Sequence, residues 1–250
     1  MSANSVSIEI SDGYLRYQNS NIATLEGLNL KLDSGQWTVL LGRSGCGKTT
    51  ILRYLAGLLE GQVHWQGQLS TCDQLPVDDR IAYMAQQDLL LPWLSVIDNV
   101  CLGERFSASA NLDARSQATQ LIELVGLSEY LEATPDKLSG GMRQRVALAR
   151  TLMQNKPVVL MDEPFSALDA VNRHKLQTLA HQLLKDKTVV LITHDPQEAV
   201  RLADRLYVLE GMPAKAGSIS VPSSQTPRKL SEETAHLQQQ ILEVLERDHE

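Results

Sequence analysis

Cysteine is scarce in this chain, with only Cys46, Cys72 and Cys101 among 250 residues. The three make no close metal-ligand spacing, and an odd count suits a reducing compartment, so neither a disulfide scaffold nor a cysteine-held metal is expected. Long apolar runs are also missing. None approaches the ~18 residues that span a bilayer, and the opening Met-Ser-Ala-Asn-Ser-Val-Ser has neither a basic leader nor an apolar signal core. The expectation is a cytosolic chain. An excess of positive charge is lacking as well: 23 Lys and Arg stand against 30 Asp and Glu, a net charge of -7. That balance argues against a nucleic-acid partner, which needs clustered cations.

What is present is ordinary globular composition, 43% hydrophobic and 21% charged, with organisation that changes along the chain. Val6, Ile8 and Ile10 alternate with polar residues as in a half-buried strand, and Gln36–Leu41 is a nearly continuous apolar run ending at Gly42. From Lys48 the residues Ile51, Leu52, Leu55, Leu58 and Leu59 fall on one helical face, with Gly61 as its stop. Between about 87 and 156 helical patterns dominate, as in Ala114–Val125 and Met142–Gln154. Buried-strand runs resume at Val158–Met161, Val189–Ile192 and Leu206–Leu209, with helical segments near 171–185 and 196–203. This predicts an α/β core with a mostly parallel sheet and an inserted helical subdomain. The stretch 213–230, rich in Pro, Ser, Ala and Gly, reads as a linker, and a helix over about 232–247 carries Leu237, Ile241, Val244 and Leu245 on one face, docked back on the core.

Residues 42–49 read Gly-Arg-Ser-Gly-Cys-Gly-Lys-Thr. Placed between a buried strand and a helix, Gly42, Gly45 and Gly47 let successive N–H groups turn inward around phosphate oxygens, and the helix start adds its positive dipole end. Lys48 is expected to reach the β and γ phosphates and the hydroxyl of Thr49 to ligate Mg2+. The strand Val158–Met161 delivers Asp162 and Glu163 to its C-terminal end, where open parallel sheets bind ligands. Asp162 would hold Mg2+ opposite Thr49, and Glu163 would orient or deprotonate the water attacking the γ-phosphate. Ser139-Gly140-Gly141 precedes the helix from Met142 and repeats the anion-binding logic of the glycine loop. Cys46, inside that loop, is expected to be a packing thiol.

Leu138-Ser139-Gly140-Gly141-Met142-Arg143-Gln144 resembles the signature of ABC transporter nucleotide-binding subunits, and the resemblance extends over about residues 6–212. Ser166-Ala167-Leu168-Asp169 looks like the family's D-loop, His194 its switch histidine, and Gln86 its Q-loop glutamine. Tyr17, in competition with Tyr14, looks like the aromatic that stacks on adenine. The resemblance implies a P-loop NTPase (RecA-like) core with an antiparallel β subdomain and an inserted α-helical subdomain, ending near 212. It implies ATP and Mg2+ as ligands, with Lys48, Gln86, Glu163 and His194 in the hydrolytic step and Gln86 beside Thr49 and Asp162 at the metal. Arg43, Ser44, Cys46 and Thr50 would complete the loop around the nucleotide. Ser139, Gly140, Gly141 and Asp169 would serve ATP held by a second ATPase subunit, so that two chains sandwich two nucleotides.

The segment Leu90-Leu91-Pro92-Trp93 followed by Val96-Ile97-Asp98-Asn99-Val100 is similar to that of importers for nitrate, sulfonates, taurine and the thiamine precursor hydroxymethylpyrimidine. In that group it lies where a membrane permease docks. The resemblance therefore implies a peripheral subunit on the cytoplasmic face of the inner membrane, served indirectly by a periplasmic solute-binding protein. Trp37 and the tail after 231 look somewhat like the hydroxymethylpyrimidine importers. Arg43 stands where the family usually has proline, and the tail is too short for the added β-domain of sugar-importer ATPases. A soluble non-transport ABC protein or an exporter cassette is the alternative, against which the single cassette and the Leu-Leu-Pro-Trp segment weigh.

Overall fold

The computed structural model describes residues 5–106 and 113–247. In chain order its regular elements are β1 (Ile8–Tyr17), β2 (Leu25–Leu32), β3 (Trp37–Gly42), α1 (Lys48–Leu55), β4 (Val63–Thr71), β5 (Ile81–Met84), α2 (Val96–Val100), α3 (Ala114–Leu124), α4 (Gly140–Met153), β6 (Val158–Asp162), α5 (Ala170–Leu183), β7 (Thr188–Ile192), α6 (Pro196–Leu202), β8 (Arg205–Glu210), β9 (Lys215–Ile219) and α7 (Glu232–Arg247). They build an antiparallel sheet in the order β2-β1-β4 and a larger sheet in the order β5-β6-β7-β3-β8-β9. The larger sheet is parallel from β5 to β8, and β9 joins its edge antiparallel.

The continuous apolar runs follow from burial on both faces. On β3, Trp37, Val39 and Leu41 face a core shared with α2 to α7, while Leu40 faces a second core shared with α1 and the antiparallel sheet. Val159 and Met161 of β6 point to the first core, and Val158 and Leu160 to the second. Strand β1 is half-buried, as its alternation predicts, with Ile8 and Ile10 turned into the second core.

Two expectations need correction. The helix from Lys48 does not run to Gly61; it stops at Leu55, because Gly57 takes a left-handed φ of 71° and Leu58 N–H bonds back to the Arg53 carbonyl at 2.9 Å. Leu58, placed on the buried face by periodicity, is 51% exposed. The stretch 213–230 is also no spacer, since it contains β9, which pairs with β8 across the expected boundary at 212. Further on, buried Arg228 donates to the carbonyls of Val200, Ala203 and Pro222. These bonds fasten the segment beneath the C-terminal end of α6. Helix α7 then packs on α6 through buried Leu237 and Ile241.

Candidate functional site

Four neighbouring strands of the larger sheet, β5, β6, β7 and β3, each end in a loop that carries a predicted site residue. Gln86 follows β5, Asp162 ends β6 with Glu163 just after it, His194 follows β7, and the glycine loop follows β3. Strand order, not sequence proximity, brings them together.

The glycine loop is shaped by its surroundings. A Cβ on Gly42, whose φ is 147°, would meet the Leu209 carbonyl oxygen at 2.6 Å. Gly47 caps α1 with a φ of 105°, and a Cβ there would meet Leu25 at 2.9 Å. Lys48 is buried, and its Nζ donates to the carbonyls of Gly42 and Arg43, each at 2.7 Å. Arg43, Ser44 and Gly45 are exposed, whereas Cys46 is buried beneath the loop. Arg43 to Cys46 line a recess of about 370 Å³ with Met212. Tyr17, at the end of β1, shares a hydrogen bond with Thr50 of α1 at 3.2 Å, which places it beside the start of that helix.

Thr49 Oγ1 donates to Asp162 Oδ2 at 2.8 Å. Asp162 is only 2% exposed, and burial pushes its carboxyl above the usual range, with the Thr49 hydrogen bond opposing that shift. Glu163 has a φ of 49°, a left-handed backbone uncommon for a residue with a Cβ. That turn aims its side chain at two loops: Gln86 Nε2 donates to Glu163 Oε2 at 3.3 Å, and His194 Nδ1 lies 3.1 Å from the same oxygen. Gln86, Glu163 and His194 are therefore one cluster, adjacent in sequence and space to the Thr49–Asp162 pair.

Ser139 is the N-cap of α4, accepting from Met142 N–H at 3.3 Å, and Asp169 is the N-cap of α5, accepting from Asn172 N–H at 3.0 Å. The Asn172 backbone and side-chain amides hold the Asp169 carboxyl below its usual range. Ser139, Gly140 and Asp169 are exposed. Gly141, the second residue of α4, sits against the turn that leads to Asp169: a Cβ on it would meet Leu168 at 2.9 Å.

Two further residues, Gln144 and Asp88, join the helical region to the site loops. Buried Gln144 donates from Nε2 to the Glu163 carbonyl at 3.2 Å and accepts from Ala167 N–H at 3.0 Å, tying α4 to the turn after β6. Asp88 accepts from Arg143 Nε at 3.0 Å, and Arg150 donates to the carbonyls of Asp88 and Leu89 at 2.6 and 2.8 Å. The signal for the Asp88 contacts was the seven-residue spacing of Arg143 and Arg150 on one face of α4; Gln144 had none.

A glycine loop between strand and helix, with a buried carboxylate at the end of a nearby strand, defines a P-loop NTPase. The comparisons narrow the class. A family model described as "ABC transporter" matches residues 25–166. An uncharacterized ABC transporter ATP-binding protein of Haemophilus influenzae is 43% identical, covering 95% of this chain and 98% of that protein. The aliphatic sulfonates import ATP-binding protein SsuB 1 of Paracoccus denitrificans is 43% identical over 81% of this chain and 80% of its own length. A solved dimeric, post-hydrolysis structure of an ATP-binding cassette bound to ADP and Pi superposes with a TM-score of 0.75 at 27% identity, over 87% of this chain and all of that one. The chain belongs to the ABC transporter family and is one of its ATP-hydrolysing, ATP-binding subunits.

Proposed function

We propose that this chain powers import of a small organic anion of the aliphatic sulfonate type, as one of two ATPase subunits attached to a membrane permease on its cytoplasmic face. The convergence of Gln86 and His194 on one oxygen of Glu163, next to Thr49 and Asp162, carries the chemical part. Glu163 accepts a proton from, or orients, the water that attacks the γ-phosphate, and the two neighbours fix the carboxylate. Lys48 exchanges the carbonyls of Gly42 and Arg43 for phosphate oxygens when ATP enters the loop. Tyr17 offers its ring to adenine.

The donors Thr49, Asp162 and Gln86 are hard oxygen ligands, and a buried carboxylate whose partner is a hydroxyl suits a divalent cation. Among the described residues no three His, Cys, Asp or Glu side chains form a metal site of their own. Mg2+ would be held by Thr49, Asp162 and Gln86 together with phosphates. The ion's contribution is to neutralise charge on the transferred phosphoryl group.

Exposed Ser139, Gly140 and Asp169, with half-buried Gly141, are assigned to the γ-phosphate of the second subunit. The dimeric cassette among the similar structures supports that division.

For the permease, the support is the surface of the helical region. Asn99 of α2 accepts from Leu91 N–H at 2.8 Å and donates to the carbonyls of Leu91, Leu94 and Ser95, so the loop is stapled with Trp93 73% exposed. Leu89 and Phe106 are also exposed, and Phe106 borders a recess of about 420 Å³ with Val100, Arg150 and Met153. Among the described residues no helix is long and apolar enough to cross a membrane. The sulfonate reading rests on the named relative. Trp37, part of the likeness to hydroxymethylpyrimidine importers, is buried and stacked on His181 at 5.2 Å. The test is Glu163→Gln: ATP binding stays and turnover falls by about 10²–10⁴-fold, whereas hydrolysis at the unmodified rate removes Glu163 from the step.

A further inference from the structure

The turn that carries Asp169 and the turn that carries His194 leave neighbouring strands, and a side chain assigned no role so far connects them. Arg173, in the first turn of α5, donates from one terminal nitrogen to the Leu168 carbonyl at 3.1 Å and from the other to Asp195 Oδ2 at 3.3 Å. Leu168 lies within Ser166–Asp169, and Asp195 immediately follows His194. The same Asp195 caps α6, its Oδ1 accepting from the N–H groups of Gln197 and Glu198 at 2.9 and 3.4 Å. Arg173 therefore holds the cap of the helix that begins just after His194.

Its surroundings match this bridging position. Arg173 lines a recess of about 20 Å³ that Glu163, Ser166, His194 and Glu198 also border. Its charge also acts on Glu198, a buried carboxylate that accepts from Gln177 Nε2 at 2.8 Å. A guanidinium can serve a carbonyl and a carboxylate at once because its donors form a rigid fork, which the single ammonium of lysine does not reproduce. The Arg173 and Asp195 side chains are 33% and 29% exposed, so pairwise attraction alone contributes little. The geometric constraint is the larger effect.

Resting on the roles given above to Glu163, His194 and Asp169, we propose that Arg173 is a positioning residue for hydrolysis, locking the Ser166–Asp169 turn and the His194 turn into one geometry. It touches neither the glycine loop nor Tyr17, so its effect falls on turnover and leaves nucleotide affinity alone. The two turns then shift together: a displacement of Asp169 at the subunit rim moves His194 at Glu163.

The test uses the full-length chain with Arg173→Gln, Arg173→Lys, Asp195→Asn and the Gln/Asn double variant, measuring steady-state kcat and KM for ATP, ATP affinity and Tm. Asn keeps the cap acceptor and removes the charge. Expected is a kcat about tenfold lower in Arg173→Gln, a smaller drop in Arg173→Lys, and KM and affinity within about twofold of the parent. Asp195→Asn lowers kcat in the same direction, and the double variant is no slower than the slower single one. Wild-type kcat in Arg173→Gln, or losses that multiply independently in the double variant, overturns the proposal. If Arg173→Gln does not fold, wild-type kcat in both Arg173→Lys and Asp195→Asn overturns it equally. Glu163→Gln run alongside separates two failures: undiminished turnover there removes the reading of the whole site, and lost turnover with an unaffected Arg173→Gln removes only this inference.

Discussion

At the scale of single residues, the site holds groups that cost stability in exchange for chemistry. Asp162 is such a group: burial raises its carboxyl above the value near 3.9 of an unfolded chain. A raised value means that the folded chain binds the proton more tightly. Asp162's contribution is therefore fully present below about pH 4 and is lost as pH rises through the raised value. Asp162→Asn removes this titration and keeps an acceptor for the Thr49 hydroxyl. The nucleotide-free variant should gain in Tm relative to the parent as pH rises upward from about 4, while its turnover is lost. A Tm difference that stays flat across that range would show that the Thr49 hydrogen bond outweighs the burial. Glu163 illustrates a different cost, a left-handed backbone at a residue with a full side chain, and nothing in its composition announces that conformation.

At the scale of elements, α7 tests whether the C-terminal segment is part of the folded body. Ile241→Ala should reduce unfolding free energy by about 2–4 kcal/mol in a urea titration, since Ile241 is fully buried. Leu242→Ala, next along the helix and 42% exposed, should cost less than about 1 kcal/mol. Equal effects would mean that α7 does not sit on α6 in this register. The contrast also shows what a sequence discloses. Strands β3, β6, β7 and β8 were legible because both faces are buried, and α4 and α7 because one face is. Strand β9 was not: Lys-Ala-Gly-Ser-Ile is poor in strand formers and mostly exposed, and backbone pairing with β8 at the sheet edge forms it. The early end of α1 was hidden too, because periodicity carried on through Leu58 and Leu59 past a left-handed Gly57. The site loops were readable as motifs, yet their meeting at one carboxylate oxygen depends on strand order. Gln144 and Arg173 escaped notice because their partners are backbone carbonyls, amides and caps.

For the whole molecule, the proposed function divides the site between one chain's glycine loop and another chain's signature rim. Ser139→Arg should abolish ATP-dependent dimers in a Glu163→Gln background, seen by size-exclusion chromatography, with ATP affinity unchanged within about twofold. Loss of both would place Ser139 at the chain's own nucleotide. Trp93→Ala should leave Tm within about 2 °C, because the ring is 73% exposed, and leave ATPase activity intact while uptake by the assembled transporter falls. Helix α4 gives these tests a common basis. At 14 residues it is a stiff rod about 21 Å long. Its first residue follows the Ser139 cap, its flank grips the turns at Glu163 and Asp88, and its far end leads to β6. A rod pivots; it does not absorb. Tilting its signature end therefore changes the aim of the Glu163 carboxylate by leverage alone, so a neighbouring subunit could set the pace of this one's hydrolysis without touching the water, the phosphate or the base.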